Sequence, residues 1–446
     1  MKLQTLSLAN FRGFEQLEMS FEPDMTLIAG VNGVGKSSIL QVLATLFTRA
    51  LPEFTPCTVK PSAFIDEDIQ HNKKSLEVSV SFSVNKQRFY GGVQRIHKDV
   101  DFGDIWNRFW LSENEANAQP RTFSQMLAGR TLTGDLEAGR ADTERMFRGL
   151  KKRKQQPVVI YFTPQRQLPG RPRKLPPLKA FEIANAYNSA LVSRQVDLRE
   201  FMHWFRVVET EASEAHRIKG ADVLDNLREV ATTFIPEFKD LRIEESPELR
   251  FVVQKNSTDL AINQLSDGER GLLSMLFDIT RRLSIANPDL RDPVAEGAGI
   301  ILIDEVELHL HPKWQRQVLR RLRKTFKNCQ FIVTSHSPQV IGQIRPRCLR
   351  LLDWNDDSNR IVLHHVSQSF GMDSNWVLQN IMGSPARDYE TERMIGTIYD
   401  QIDEEKLDRA AELIADIENA VGLFPELQEA KLLLARLEML RADEKD

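Results

Sequence analysis

Apolar residues recur at two different spacings along the first part of the chain, and the change of spacing predicts alternating strands and helices. Alternation over 3–11 and 17–21 predicts two strands around a turn at Arg12-Gly13. Residues 25–29 predict a short buried strand that runs directly into a glycine-rich loop. Apolar residues at helical spacing from Ile39 to Phe47 then predict a helix, which completes a first strand–loop–helix unit.

The middle of the chain predicts a second group of elements. Residues 76–84 and 89–93 read as a hairpin, and 158–162 as a buried strand. Residues 178–235 have helical spacing with mixed charge, but they are too short and irregular for a long coiled coil. From Leu265 onward a helix, an apolar strand, a basic helix and another strand alternate, which is typical of a largely parallel sheet.

The last part of the chain differs in composition. Residues 388–446 contain 17 acidic and 7 basic residues and predict helices, so we interpret this tail as a separate module. The predicted division has five parts: an N-terminal lobe over 1–100, an insertion over 101–156, a connection over 157–255, a C-terminal lobe over 256–366 and an acidic helical tail over 367–446.

Composition narrows the function classes. With 446 residues, 41% of them hydrophobic, and a net charge of −4, the chain is neither mainly disordered nor fibrous. No apolar run approaches the ~18 residues of a membrane span, so a soluble protein is expected. The three cysteines lie at no metal-ligand spacing, which favours reduced thiols and a cytoplasmic location.

Residues 30–37 (GVNGVGKS) match the phosphate-loop pattern G-x-x-x-x-G-K-[ST], with a strand before and a helix after them. Glycines let successive N–H groups point at phosphate oxygens, and the helix start adds its positive dipole end. Lys36 is predicted to bridge the β- and γ-phosphates of ATP, and the Ser37 hydroxyl to bind Mg²⁺. The predicted nucleotide contacts are Gly30, Asn32, Gly33, Gly35, Lys36, Ser37 and Ser38.

Residues 299–303 form a continuous apolar run that ends in Asp304 and Glu305, as expected of a central parallel strand. Ligands collect at the carboxyl ends of such strands, and successive side chains point in opposite directions. Asp304 is therefore predicted to hold Mg²⁺, and Glu305 to accept a proton from the attacking water.

Residues 265–269 (LSDGE) open a predicted helix, and two interpretations apply to them. Locally they form a capping box, with Ser266 as N-cap and Glu269 three residues later. The same residues lie some thirty positions before the acid-terminated strand, where ATPases of the ABC superfamily have an LSGGQ-like signature. The match comprises Leu265, Ser266, Gly268 and Glu269, with Asp267 in place of the usual third residue.

Three further segments extend this resemblance. Residues 10–14 (NFRGF), 304–312 (DEVELHLHP) and 334–338 (TSHSP) resemble the opening motif, the Walker B and D-loop segment, and the histidine switch of RecF, SMC and OLD-type ATPases. Val306 replaces the proline that is usual after the two acids. The resemblance implies an ABC-type ATPase head, a P-loop α/β fold with a mixed sheet, flanking helices, a helical insertion and a helical tail.

The resemblance also implies a shared site. Two heads would pair head to tail, with each ATP held by one phosphate loop and by Ser266, Gly268 and Glu269 of the other head. His336 would sense the γ-phosphate, and Arg12 would lie near the nucleotide. Gln165 is the candidate Q-loop ligand for Mg²⁺, with Gln167 as its competitor.

Among families with such heads, a short arm and an acidic tail most resemble the PtuA ATPases of Septu and retron antiphage systems. This implies a homodimer or higher homo-oligomer that regulates a partner nuclease, a PtuB-like HNH subunit. The alternatives are a RecF-like DNA-binding repair protein and an OLD-type ATPase/nuclease. A nuclease within this chain is not expected, since the residues after His336 contain no D-x-D motif.

Two basic stretches leave the role of DNA open. Residues 151–179 contain nine basic residues and 313–327 contain seven, and neither stretch contains an acid. They predict either contacts with a DNA backbone, or a solvated face or a subunit contact with the acidic tail.

Overall fold

The computed structural model describes residues 1–84, 87–96, 111–112, 144–164, 182–192, 198–213, 218–244, 250–355, 360–385 and 387–443. The chain divides into two compact units, Met1–Met372 and Asp373–Asp446. Most of the predicted insertion over 101–156 lies outside the described residues, as do Gln165 and Gln167.

The strands of the first unit are β1 (Lys2–Phe11), β2 (Phe14–Ser20), β3 (Met25–Gly30), β4 (Ser75–Val84), β5 (Gln87–Ile96), β6 (Leu111–Ser112), β7 (Val158–Phe162), β8 (Phe238–Glu244), β9 (Arg250–Lys255), β10 (Thr258–Ala261), β11 (Gly299–Ile303), β12 (Cys329–Ser335), β13 (Leu349–Asn355) and β14 (Arg360–His364). Its helices are α1 (Lys36–Phe54), α2 (144–151), α3 (Leu198–Ser213), α4 (Ile218–Phe234), α5 (Asp267–Ala286), α6 (Pro293–Glu296), α7 (Pro312–Thr325) and α8 (Pro338–Ile341).

A six-stranded mixed sheet forms the centre of this unit, in the order β14-β13-β3-β12-β11-β7. All neighbours are parallel except β13 and β14. Strands β3, β7, β11 and β12 are buried throughout, which explains why β7 and β11 are continuous apolar runs and β3 and β12 are mostly apolar. Because β3 and β11 both pair with β12, their carboxyl ends bring the glycine loop and the two acids to one edge of the sheet.

Two antiparallel sheets complete the unit. One has the order β2-β1-β4-β5-β6 and contains the predicted hairpin of β4 and β5. The other, β10-β9-β8, lies beside a cluster of aromatic rings from three elements, in which Phe201 of α3 stacks on Phe277 of α5 and both pack edge-on to Phe251. The mixed α/β fold expected from the sequence is therefore confirmed, with α/β alternation over residues 267–335.

The second unit contains α9 (Ser374–Asn380), α10 (Tyr389–Asp403), α11 (Leu407–Val421) and α12 (Pro425–Asp443). Leu407, Ile414 and Ile417 of α11 are buried in its core, and Ala411 packs against them. Helices α10 and α12 supply the opposite side of that core, including Ile398 and Leu427. The helical prediction for this region is confirmed. Across the described part of the chain, no helix combines the length and apolar character needed to cross a membrane.

Candidate functional site

The glycine loop between β3 and α1 has a backbone that only glycine adopts easily. Gly30 and Gly35 have φ values of 149° and 94°. A Cβ on Gly30 would lie 2.3 Å from the carbonyl oxygen of Leu352, and one on Gly35 would lie 2.6 Å from the ring of Phe14. The aromatic residue that ends the opening motif thus packs directly against the phosphate loop.

Lys36 is held inside this loop. Its side chain is buried (7% exposed), and Nζ donates hydrogen bonds to the carbonyl oxygens of Gly30 at 2.8 Å and Val31 at 2.9 Å. Burial lowers the pKa of Lys36, while the negative charges of Glu307, Asp304 and Glu305 oppose that shift. The amine therefore lies within the electrostatic reach of three carboxylates, where a phosphate and a cation would both find opposite charges.

The turn after β11 is fixed by hydrogen bonds from both neighbouring strands. The Asp304 N–H donates to the carbonyl oxygen of Phe162 in β7 at 2.8 Å. On the other side, the Thr334 hydroxyl in β12 donates to Oδ1 of Asp304 at 2.6 Å and accepts from the Glu305 N–H at 2.8 Å. Glu305 has a φ of 48°, a left-handed conformation that is uncommon outside glycine. Thr334 thus sets the positions of both predicted acids.

His336 follows β12 at the same sheet edge. In the register of β12 and β3, Ser335 lies opposite Ala29, so His336 begins beside the start of the phosphate loop. Its backbone N–H donates to Oε1 of Glu307 at 2.7 Å, and its Nδ1 lies 3.2 Å from the same oxygen.

Arg12 lies across the first turns of α1, at a residue with a φ of 48°. Nε donates to Oδ1 of Asp68 at 3.0 Å, and NH1 donates to the Ser38 hydroxyl at 3.0 Å and to Oε1 of Gln41 at 2.7 Å. The predicted proximity of Arg12 to the nucleotide stays a prediction, but its side chain does contact the helix that follows Lys36.

The start of α5 forms the capping box that the local interpretation of residues 265–269 predicts. Ser266 is the N-cap, its hydroxyl accepts from the Glu269 N–H at 3.4 Å, and its own N–H donates to Oε2 of Glu269 at 3.0 Å. Glu269 also pairs with Lys255 at 2.6 Å. Burial would raise the pKa of Glu269, but the hydrogen bonds from Lys255 and Ser266 outweigh it and lower the pKa.

Gly268 has a separate reason to be glycine. A Cβ there would lie 2.2 Å from the carbonyl oxygen of His309, in the turn that follows the two acids. The start of α5 therefore packs against the turn after β11, while Ser266 remains exposed. Its predicted contact with the nucleotide of a second head, like those of Gly268 and Glu269, stays a prediction.

The structure brings the phosphate loop, Lys36, Asp304, Glu305 and His336 to one sheet edge, as the motif order predicts. Sequence reasoning gave no role to Thr334 or Glu307, although they lie inside the motifs of residues 334–338 and 304–312. It also missed Gln41, which accepts from Arg12, and Tyr161, whose pKa is raised by burial and by the charge of Asp304.

Comparison with known proteins agrees with this geometry. Residues 25–342 match the family described as "AAA domain, putative AbiEii toxin, Type IV TA system". The chain belongs to this family. It is an ATPase with an AAA-type nucleotide-binding domain.

Three named relatives refine the likeness. The Retron Ec83 probable ATPase of Escherichia coli is 26% identical over 85% of this chain and 76% of that protein. The Retron Vc95 probable ATPase of Vibrio cholerae serotype O1 biovar El Tor is 39% identical over 32% of this chain and 28% of that protein. The Septu protein PtuA of Bacillus thuringiensis is 20% identical over 85% of this chain and 83% of that protein. The predicted resemblance to retron and Septu ATPases is confirmed.

Proposed function

We propose that this chain is the ATP-binding and hydrolysing subunit of an antiphage defence complex, which regulates a partner HNH nuclease through ATP-dependent pairing of its heads. The observation that carries the proposal is the position of Lys36, held by the phosphate-loop carbonyls and reached by the charges of three carboxylates. The similarity to retron and Septu ATPases over most of the chain supports the defence context.

The residues present fit Mg²⁺. Magnesium prefers oxygen ligands, and Asp304 offers a buried carboxylate (2% exposed) whose Oδ1 is oriented by Thr334. The Ser37 hydroxyl, in the first turn of α1, would supply a second oxygen. A bound Mg²⁺ would neutralise charge on the phosphates, while Glu305 would orient and deprotonate the attacking water.

The sequence division into five parts is retained as part of this proposal, with the acidic helical tail as the docking element for the nuclease. The tail has its own apolar core, so deletion of residues 373–446 removes a unit with internal packing and does not cut through a sheet. The deleted chain should still bind ATP and should no longer copurify with the nuclease.

Coexpression with a PtuB-like HNH nuclease subunit tests the proposal. We expect a stable complex, nuclease activity that changes with ATP, and loss of that change in Lys36→Ala, which removes the phosphate-binding amine. A chain that hydrolyses ATP but neither binds nor affects such a subunit would contradict the regulatory role. An Ala substitution at Lys60, which is exposed and far from the loop in sequence, serves as a matched control.

A second candidate function, binding of a nucleic acid backbone, is favoured by one surface. Exposed basic residues recur every three or four positions along α7 and its end, on the side opposite the buried Val318, Leu319 and Leu322. Over 14 residues this helix spans ~21 Å. The members of this basic stripe are Lys313, Arg316, Arg320, Arg323, Lys324 and Lys327.

Two arginines of the basic stripe are already engaged: Arg316 donates to Gln339 and Arg323 pairs with Asp24. A triple change of Arg320, Lys324 and Lys327 to Glu should therefore weaken duplex binding and flatten its salt dependence. The control makes the same charge change at the exposed Lys60, Lys74 and Lys239. Equal weakening in both variants would show an effect of net charge alone.

A further inference from the structure

Glu307 is a buried acid that the proposed chemistry has not used. It is 4% exposed, and it lies in the turn after β11, three residues beyond Asp304. Its Oε1 accepts the His336 N–H at 2.7 Å, but its Oε2 has no hydrogen-bond partner among the described residues. A buried carboxylate oxygen without a partner costs folding free energy, so its presence calls for a physical reason.

A second unsatisfied atom lies beside the first. Nδ1 of His336 lies 3.2 Å from Oε1 of Glu307, but it too forms no hydrogen bond with any residue that the structure describes. The His336 imidazole is half exposed, whereas the Glu307 carboxylate is buried. A small rotation of the ring would pair Nδ1–H with the carboxylate and would leave Nε2 directed away from it.

The pair lies near the phosphate loop. The charge of Glu307 acts on Lys36, as do the charges of Asp304 and Glu305. Ser335 pairs with Ala29 in the register of β12 and β3, so His336 follows at the sheet edge where the phosphate loop begins. An imidazole held at Nδ1 by Glu307 would keep Nε2 available as a partner for a phosphate in that loop.

We propose that Glu307 is a positioning residue, which orients the His336 imidazole so that Nε2 contacts the γ-phosphate of ATP. Glu307 acts on His336 through its backbone N–H and its Nδ1, and does not itself touch the nucleotide. The inference rests on the proposed nucleotide site. It adds a carboxylate–histidine pair that is distinct from Glu305, the predicted base.

The test uses Glu307→Gln, which keeps the shape and an oxygen that can accept the His336 N–H but removes the charge. We expect the affinity for ADP to stay within about twofold. The preference for a non-hydrolysable ATP analogue over ADP and the kcat for ATP should each fall about tenfold, which is the size of one charge-assisted hydrogen bond.

A double-mutant cycle with His336→Ala separates positioning from an independent effect. If Glu307 acts through His336, Glu307→Gln should cause no further loss in the His336→Ala background. If the losses of the two single variants multiply in the double variant, the proposal is wrong. It is also wrong if Glu307→Gln has the kcat and the analogue preference of the wild type. Equal loss of ADP and analogue affinity would also overturn it, because it would mean that Glu307 holds the phosphate loop itself.

Two further variants complete the design. Glu307→Asp keeps the charge with a shorter reach and should recover part of the analogue preference, so the proposal stays testable if Glu307→Gln folds poorly. Glu296→Gln changes an exposed acid in α6 and should match the wild type. Since the measurements need only the isolated chain and nucleotides, absence of a nuclease partner would refute the proposed regulatory role without affecting this result.

Discussion

Thr334 offers the sharpest test of how the catalytic edge is built. Thr334→Val keeps the side-chain shape but removes the hydroxyl that donates to Asp304 and accepts from the Glu305 N–H. Because Thr334 is completely buried, water cannot replace it. Loss of a hydrogen bond to a charged group costs about 1.5–3 kcal/mol, and an orphaned buried N–H costs about 1–3 kcal/mol. Some relaxation of the turn should leave a net loss of about 2–4 kcal/mol.

Such a loss is within the ~5–15 kcal/mol that stabilises a typical domain, so Thr334→Val should still fold at 25 °C. Urea unfolding should show the lowered free energy of unfolding. The kcat for ATP should fall about tenfold or more, because both acids lose the contact that sets their positions. Affinity for ATP should change less, since the contacts of Lys36 with the loop are untouched.

Thr334→Ser is the matched control, because it keeps the hydroxyl and loses only a methyl group. It should cost about 1 kcal/mol of stability and retain most of the hydrolysis rate. If the Val and Ser variants hydrolyse ATP equally well, the Thr334 hydroxyl does not position the acids. If Thr334→Val unfolds at the same urea concentration as the wild type, the two hydrogen bonds contribute nothing measurable to stability.

Three further substitutions test the remaining assignments. Glu305→Gln should bind ATP with near wild-type affinity and hydrolyse it at least about a hundredfold more slowly, since the amide cannot accept a proton; a near wild-type rate in a phosphate-release assay would exclude Glu305 as the base. Ser266→Arg should spare ATP binding but block ATP-dependent pairing of heads in light scattering; a normal dimer would argue against a shared site. Gly268→Ala should lower the free energy of unfolding by about 1–3 kcal/mol, because its Cβ would overlap the His309 carbonyl oxygen, and an unchanged urea midpoint would show that the turn yields.

Local sequence patterns predicted the central sheet and the residues at its edge. Strands β3, β11 and β12, which lead into the phosphate loop, Asp304 and His336, are mostly apolar, and strands of this kind are buried on both faces of a parallel sheet. Once the three strands share a sheet, their carboxyl ends coincide, so the motifs that follow them must meet. This step requires only strand direction and order, and it holds without knowledge of any side-chain contact.

Contacts between distant elements could not be predicted in the same way. Thr334 reaches Asp304 across 30 residues, Glu307 reaches His336 across 29, and Asp68 reaches Arg12 across 56. Each of these side chains has an unremarkable local pattern, and only the register of neighbouring strands or the fold of a connecting loop brings it to its partner. In the sequence, Thr334 and Glu307 could be recognised only as polar residues inside the motifs of residues 334–338 and 304–312.

The start of α5 shows why one pattern can support two interpretations that do not compete. The capping box explains Ser266 and Glu269 within the chain, since each satisfies the other's backbone and Lys255 neutralises the acid. Close approach to the His309 carbonyl oxygen explains Gly268. These contacts fix the helix start and leave the Ser266 residue exposed at its positive end. The contact with a second head that the family resemblance implies would require an exposed helix start of this kind, so the two interpretations can hold together.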